Sequence, residues 1–116
     1  ATASAIDDKD FNESWVIFQP HTYSRTKNLL DDFARALLDF DHIIVTDIYA
    51  AREQNTFNIS SLDLVNKIKE YNKDALYIKD FEDIANHIRT NARTNDLVLT
   101  LGAGTVTNIG PMIIKP

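Results

Sequence analysis

Short apolar segments alternate with longer segments of mixed polarity along the chain. Each apolar segment is rich in β-branched or aromatic side chains and is too short for a helix, which favours a strand. Four such segments are present, at residues 15–18, 43–46, 75–78 and 97–101. Because they are almost continuously apolar, they are predicted to be strands buried on both faces.

The intervening segments carry apolar residues at three- and four-residue spacing, which is typical of helices with one buried face. The first of them predicts a helix over residues 24–39. Its buried stripe contains Leu29, Leu30, Phe33, Ala34, Leu37 and Leu38. A second helix is predicted to begin after Ser60, because Ser60 and Asp63 are spaced as a capping box. A third helix follows Asp80, and a short last helix follows Gly102.

This alternation of strands and helices predicts right-handed β–α–β units and a parallel sheet. The expected fold class is α/β, a three-layer α/β/α Rossmann-like sandwich in a single domain over residues 1–116. Residues 1–10 are predicted to be the tail of a truncated first helix. Ligands of such sheets bind beyond the carboxyl ends of the strands. The loops expected to carry function are therefore residues 19–24, 47–58, 79–80 and 102–105.

Composition narrows the possible partners and location. The chain is 44% hydrophobic and 25% charged, with 12 basic and 17 acidic side chains and a net charge of −5. This balance gives no reason to expect nucleic acid or a membrane surface as a partner. Apolar runs are far shorter than the roughly 20 residues that span a bilayer, and the N-terminus does not resemble a secretory signal. A cytoplasmic location is expected. With no cysteine, disulfides and thiolate metal sites are excluded.

The segment 18–26, with the sequence FQPHTYSRT, follows the first predicted strand and concentrates groups capable of chemistry. Arg25 falls in the first turn of the predicted helix, where the helix dipole disfavours a cation. A bound anion would relieve this conflict, because a guanidinium and free helix-start amides together form a receptor for carboxylate or phosphate. Lys27 adds to the same field. The alternative is that both side chains are simply solvated.

His21 lies at the carboxyl end of the same strand and points to the expected ligand crevice. The sequence leaves open whether it is functional or a structural hydrogen-bonding residue. His42 and His87 are predicted to be structural or solvated. Since the three histidines are not spaced as a zinc site, no metal site is predicted.

A second polar segment, residues 47–53, leaves the second strand at the same edge of the sheet. Asp47 and Glu53 are candidates to orient a cation or an amine, and Tyr49 is a candidate to cover a ring. The alternative is that these residues cap the loop and that Arg52 and Glu53 form a surface ion pair.

The glycines after the last strand resemble a phosphate-binding loop only superficially. Gly102 and Gly104 lack a third glycine at the spacing of a dinucleotide-binding loop, and the chain has no Gly-Lys-Ser/Thr sequence. We therefore predict that these glycines allow close backbone packing, and that this chain does not bind ATP in the P-loop manner.

Taken in order, four segments resemble the C-terminal domain of the Mur ligases: residues 18–26, 47–53, 59–61 and 96–104. The resemblance extends from about residue 14 to residue 114. It is closest to the members that join L-alanine to UDP-N-acetylmuramate in peptidoglycan synthesis, a process on which cell-wall biogenesis, cell shape and cell division depend.

The resemblance implies an ATP-dependent acid–amino acid ligase with three domains, of which this chain is the third. In that family the substrate carboxylate takes the γ-phosphoryl group of ATP, and the amine of L-alanine attacks the resulting acyl phosphate. ATP and Mg²⁺ are bound mainly by the central domain, so the isolated chain is expected to hold no cofactor and to be inactive. The implied partners are L-alanine, UDP-N-acetylmuramate and the absent N-terminal and central domains.

The resemblance also implies a set of site residues. His21 is the predicted catalytic residue, in the sense that it orients the amine or the acyl phosphate. The predicted substrate-binding residues are His21, Arg25, Thr22 and Tyr49, with Arg25 as the clamp on the alanine carboxylate. Thr22 stands where many relatives have a second arginine, which lowers the charge of the clamp.

The family's sheet implies the strand order 4-1-2-3 for this chain, without two strands that precede it in relatives. Residues 97–101 would then form an open edge able to pair with a second copy. Two alternatives to the enzyme reading are a stand-alone α/β binding module and a protein-interaction domain that uses this edge. A receiver domain is disfavoured, because an acidic pair is needed where Gln19, Pro20 and His21 stand.

Overall fold

A computed structural model describes residues 12–93 and 95–102 of the chain. The predictions for residues 1–10 and for a helix after Gly102 lie outside the described residues. No helix in the described ranges is long and apolar enough to cross a membrane.

The described strands form one parallel sheet. They are β1 (Ser14–Gln19), β2 (His42–Val45), β3 (Leu76–Tyr77) and β4 (Leu97–Gly102). Their order is β3-β2-β1-β4, which confirms the predicted order 4-1-2-3. Strand β1 pairs with β2 on one side and β4 on the other, and within the described ranges β4 pairs with β1 alone. The outer edge of β4 is therefore open in the described part of the chain.

The four described helices are α1 (Tyr23–Asn28), α2 (Leu30–Leu37), α3 (Ser61–Lys69) and α4 (Phe81–Asn91). Helices α2 and α3 bury Leu37 and Ile68 in the same core cluster as Val16 of β1. Helix α4 buries Ile84 in a second cluster with Ile17 of β1. Because Val16 and Ile17 are adjacent on β1, the two clusters lie on opposite faces of the sheet. The predicted three layers are therefore present.

The prediction of one continuous helix over residues 24–39 is wrong. The helix is interrupted at Leu29, which separates α1 from α2. Leu29 has φ −113° and ψ 21°, although its amide still donates to the carbonyl of Arg25 at 2.8 Å. One turn earlier, the buried Thr26 hydroxyl donates to the Thr22 carbonyl oxygen at 2.7 Å. A side-chain bond of this kind, four residues back, bends helices.

The predicted start of α3 is confirmed. The backbone amide of Ser60 donates to Asp63 Oδ2 at 2.9 Å, which is one half of the capping box. Ser61 also anchors this end of the helix, because its buried hydroxyl donates to the carbonyl of Thr46 at 2.5 Å. Helix α3 is therefore tied to the carboxyl end of β2.

The predicted close packing of the glycine after β4 is confirmed for Gly102. This residue lies opposite Gln19 of β1 and has φ +123°, a backbone conformation that side chains other than glycine rarely adopt. A Cβ atom placed on Gly102 would lie 2.2 Å from the carbonyl oxygen of Gln19. Only glycine lets the two strands approach this closely at the edge of the sheet.

We therefore expect Gly102→Ala to lower the free energy of unfolding by about 2–4 kcal/mol, since backbone strain adds to an overpacking cost. Urea unfolding of the chain measures this. The matched control is Asn72→Gly at an exposed position with φ 62°, where we expect a change of less than about 1 kcal/mol. Wild-type stability of the alanine variant would contradict the close approach of β4 to β1.

Candidate functional site

The backbones that follow β1 and β2 continue to pair beyond the strands. The amide of Tyr49 donates to the carbonyl of Pro20 at 2.8 Å, and the amide of Thr22 donates to the carbonyl of Tyr49 at the same distance. His21 and Tyr49 form a parallel bridge in this extension. Two of the predicted functional loops are therefore held side by side at the carboxyl edge of the sheet.

A cleft of about 290 Å³ opens at this edge. Its lining residues are Phe18, Gln19, His21, Arg25, Phe33 and Gly102. The structure thus brings together His21 and Arg25, the two residues on which the sequence interpretation depends. The Phe18 and Phe33 rings meet edge to face with centroids 5.3 Å apart and supply an apolar wall. A cation, an imidazole and an apolar wall suit a small ligand with a carboxylate and a short apolar group.

The Arg25 guanidinium is the open cation of the cleft. Its side chain makes no hydrogen bond or ion pair with any residue in the described ranges, and the residue is exposed. The planar guanidinium is therefore available for bidentate contact with a carboxylate. Lys27, which was expected to share the field, instead donates from Nζ to the carbonyl of Phe57 at 3.2 Å.

Tyr49 stands beside His21. Their rings stack with centroids 5.8 Å apart and an interplanar angle of 15°. Tyr49 is 39% exposed and does not line the cleft that contains His21 and Arg25. Its ring therefore supports the imidazole from outside the cleft.

Thr22 forms the corner between β1 and α1. Its Oγ1 accepts from the amide of Arg25 at 3.3 Å, and its φ of 65° and ψ of 150° lie in a region occupied almost only by glycine. A residue in such a conformation carries strain of about 1–3 kcal/mol and persists only where surrounding bonds hold it. Thr22 therefore caps the helix in this structure, and it is not one of the residues that line the cleft.

Glu53 occupies the start of α1. Its Oε1 accepts from the amides of Tyr23 at 2.7 Å and Ser24 at 3.1 Å, and its Oε2 accepts from the Ser24 hydroxyl at 2.5 Å. The expectation that these amides are free to receive a ligand anion is therefore wrong, because a carboxylate of the chain itself already holds them. The expected ion pair of Arg52 with Glu53 is not found within residues 12–93. Among the described residues that line the cleft, Arg25 supplies the open guanidinium.

These bonds set the acidity of Glu53. Hydrogen bonds from the Ser24 hydroxyl and amide, together with the Tyr23 amide and the nearby His21, hold the pKa of the Glu53 carboxyl below its ordinary value. Sequence analysis missed this role because the partners lie about 30 residues apart along the chain.

Asp47 belongs to a different recess. It accepts a short hydrogen bond from the Tyr77 hydroxyl, which together with partial burial raises the pKa of Tyr77 to about 12. Asp47 lines a separate recess of about 200 Å³ with Tyr23 and Ser60 among its neighbours. The structure therefore does not bring Asp47 into the cleft with Arg25, and sequence analysis gave no signal for Tyr77.

Gln19 is a cleft residue that the sequence did not single out. It is 6% exposed, and its Oε1 finds no hydrogen-bond donor in the described part of the chain. The alternation of side chains along β1 places it on the face of the sheet that carries Trp15 and Ile17. Within the described ranges, the side-chain oxygen of Gln19 is therefore a buried acceptor without a hydrogen bond at the carboxyl end of β1.

The other two histidines lie at the opposite end of the sheet. His42 stacks on Trp15 with ring centroids 4.0 Å apart, and its Nε2 is 2.7 Å from Glu13 Oε1. His87 meets the same indole edge-on at 5.9 Å. Both residues are predicted to be structural or solvated, and in the structure each ring contacts Trp15. Within residues 12–93 and 95–102 there is no group of three or more His, Asp or Glu side chains that could hold a metal ion.

A parallel sheet with helices on both faces and a cleft beyond the carboxyl ends of its central strands places the chain in the α/β class. Residues 1–104 match the family described as Mur ligase, glutamate ligase domain. The chain belongs to this family, as its resemblance to the C-terminal domain of the Mur ligases predicts.

Curated relatives support the same assignment. The chain is 47% identical over 115 residues to UDP-N-acetylmuramate–L-alanine ligase of Acetivibrio thermocellus and covers 24% of that protein. It is 49% identical to the protein of the same name from Caldanaerobacter subterraneus subsp. tengcongensis and covers 25% of it. In both cases 99% of this chain is aligned. The chain therefore spans about a quarter of the length of these relatives.

Two solved structures share the fold. The crystal structure of UDP-N-acetylmuramate-alanine ligase MurC from Thermotoga maritima matches with a TM-score of 0.63 and 24% identity, over 89% of this chain and 20% of that one. The MurF ligase of the same organism, in complex with ADP, matches with a TM-score of 0.55 and 18% identity, over 89% of this chain and 22% of that one. At these identities the likeness establishes the fold alone.

The lowered pKa of Glu53 predicts how stability responds to acid. A carboxyl whose pKa is lower in the folded state stabilises the fold above its unfolded-state pKa, and this contribution is lost as the pH falls through the folded-state value. Glu53→Gln should therefore lower the free energy of unfolding at neutral pH. Between neutral pH and about pH 3, the free energy of unfolding of this variant should also fall by less than that of the wild type.

Urea unfolding over that pH range measures both effects. Glu70→Gln is the control, because Glu70 lies at an exposed surface with Lys67 Nζ 3.4 Å away, and such pairs contribute little. Parallel pH profiles of wild type and Glu53→Gln would contradict the assignment of Glu53 as the charged cap of α1.

Proposed function

We propose that this chain is the amino-acid-binding C-terminal domain of a cytoplasmic UDP-N-acetylmuramate–L-alanine ligase that acts in peptidoglycan synthesis. The observation that carries the proposal is the shared cleft of His21 and Arg25 at the carboxyl end of the central strand. The names of the curated relatives supply the reaction. Because the chain spans only a quarter of their length, the reaction is proposed for the longer ligase and not for this domain alone.

In the proposed ligase, the carboxylate of UDP-N-acetylmuramate attacks the γ-phosphorus of ATP, and ADP leaves. The amine of L-alanine then attacks the acyl carbon, and phosphate leaves as the amide bond forms. Bound Mg²⁺ would neutralise phosphate charge during the first step. We assign ATP and Mg²⁺ mainly to the domains outside this chain, as the resemblance to the Mur ligases implies.

The cleft supplies distinct contacts for the incoming amino acid. Arg25 binds the alanine carboxylate, since its guanidinium is open and reaches the cleft. His21 orients the amine or the acyl phosphate, and the stacked Tyr49 ring limits the rotation of the imidazole. Thr22 contributes to binding by capping the helix that carries Arg25. The Phe18 and Phe33 wall accommodates the methyl group.

These contacts position a substrate but activate no carboxylate. The domain therefore acts by closing over an active site that the N-terminal and central domains complete, and it is catalytically silent alone. Holding two reactants in the right geometry supplies a large part of the rate enhancement in such reactions.

The proposal predicts a selective defect. In the full-length ligase, Arg25→Ala should raise the KM for L-alanine about 10- to 100-fold, the effect of losing a charge-assisted hydrogen bond. The KM for ATP should change far less. Arg35→Ala is the matched control, because Arg35 is an exposed arginine engaged with Asp31 and Asp32 on α2. Wild-type alanine kinetics in Arg25→Ala would remove Arg25 from the site.

The assignment to a larger ligase is tested by complementation. Mixing this chain with a protein made of the N-terminal and central domains should restore phosphate release that depends on L-alanine, ATP and UDP-N-acetylmuramate together. The same mixture made with Arg25→Ala should need far more L-alanine. Phosphate release that is indifferent to this chain would contradict the proposed role.

A second candidate function rests on the outer edge of β4, which is open in the described part of the chain. An open edge can pair with a second copy. Analytical ultracentrifugation of the chain tests this self-association. A dimer that Val98→Pro abolishes would support it, and a monomer at high concentration would exclude it.

A further inference from the structure

We infer that Glu53 is a positioning residue for the cleft: its carboxylate fastens the loop that follows β2 to the start of α1 and so sets where Arg25 and His21 stand. The part of this inference that concerns substrate rests on the proposed function. The part that concerns geometry rests on the fold alone.

The three bonds of Glu53 are directed at the two residues immediately before Arg25. Both carboxylate oxygens are used, one by the amides of Tyr23 and Ser24 and the other by the Ser24 hydroxyl. Hydrogen bonds to an ionised acceptor are about twice as strong as neutral ones. The first turn of α1 is therefore held by a side chain from another loop as well as by its own cap.

The loop that delivers Glu53 is itself strained. Ala51 and Arg52 have φ values of 50° and 77°, which residues other than glycine adopt only at a cost. The amide of Glu53 donates to the carbonyl of Ala50 at 3.0 Å and closes this turn. A tight turn through two consecutive left-handed residues persists only if other contacts hold it, and the bonds of Glu53 to α1 are such contacts.

The corner between β1 and α1 is strained as well. Thr22 has a φ of 65° and lies between His21 and the first turn of α1. The same loop holds this corner at two consecutive amides: the carbonyl of Tyr49 accepts from the Thr22 amide, and Glu53 Oε1 accepts from the amide of the next residue, Tyr23. If Glu53 is removed, one anchor is lost and Thr22 can relax, which moves Arg25 relative to His21. A shift of about 1 Å at a substrate-positioning group can cost about 100-fold in rate.

Two substitutions at Glu53 distinguish a side chain that keeps its length and hydrogen bonds from one that loses them. Glu53→Gln keeps the length of the side chain, so its Oε1 can accept from Tyr23 and Ser24 while its amide donates to the Ser24 hydroxyl. Glu53→Ala removes all three bonds. A positioning role predicts that glutamine rescues the defect that alanine produces.

In the full-length ligase we expect Glu53→Ala to raise the KM for L-alanine about 10-fold or more while the KM for ATP stays within about twofold. Glu53→Gln should stay within about threefold of wild type for both substrates. Glu70→Ala is the control, because Glu70 is an exposed carboxylate at the carboxyl end of α3, and it should leave both constants unchanged. If Arg25→Ala raises the KM for L-alanine, then wild-type alanine kinetics in Glu53→Ala, or an equal change in the constants of every substrate, would overturn the inference.

A second readout does not depend on the reaction. In NMR spectra of the 116-residue chain, Glu53→Ala should shift the His21 ring and Arg25 Nε–H resonances, whereas Glu53→Gln should leave them near their wild-type positions. Urea unfolding establishes that both variants fold. If these shifts appear but Arg25→Ala has normal alanine kinetics, the proposed substrate is wrong and the positioning role stands. If the resonances do not move in a folded Glu53→Ala variant, the positioning role is wrong.

Discussion

The burial of β1 between two parallel neighbours is the constraint on which the rest of the structure depends. Val16 and Ile17 are both fully buried, one in each core cluster, so the strand has no solvent-facing side along its centre. A central strand of this kind ends at an edge of the sheet where loops from both sides converge. His21 follows its carboxyl end directly, and Gly102 of β4 closes against Gln19 at the same level. The cleft lies where the end of β1, helix α1 and the end of β4 meet.

The electrostatics of the cleft follow from which polar groups are already satisfied. Glu53 holds the first amides of α1, and Thr22 caps the amide of Arg25, so the helix start has little left to offer a ligand. The guanidinium of Arg25 is left open. Because α1 spans only Tyr23–Asn28, Arg25 also lies in its last turn, where the helix dipole favours a cation. In the proposed site, an incoming carboxylate would therefore meet one well-defined cation.

The proposed role as one domain of a Mur ligase accounts for a cleft that would bind an amino acid without activating it. The described residues contain an imidazole, a guanidinium and an apolar wall, which can hold an amino acid in place. A domain built in this way contributes orientation, and orientation has catalytic value only when another domain presents the activated partner.

Local patterns were sufficient for everything that depends on neighbours in sequence. The apolar runs located the strands, and the spacing of Ser60 and Asp63 located the start of α3, because both signals arise within one element. The strand order came from resemblance to a family, since pairing between distant strands leaves no local trace. Only the tertiary structure decided the break at Leu29, the corner at Thr22 and the use of Glu53 as the cap of α1. The last two of these depend on groups that meet across the fold, and a carboxylate about 30 residues from its partners has no periodicity by which the sequence alone could have revealed it.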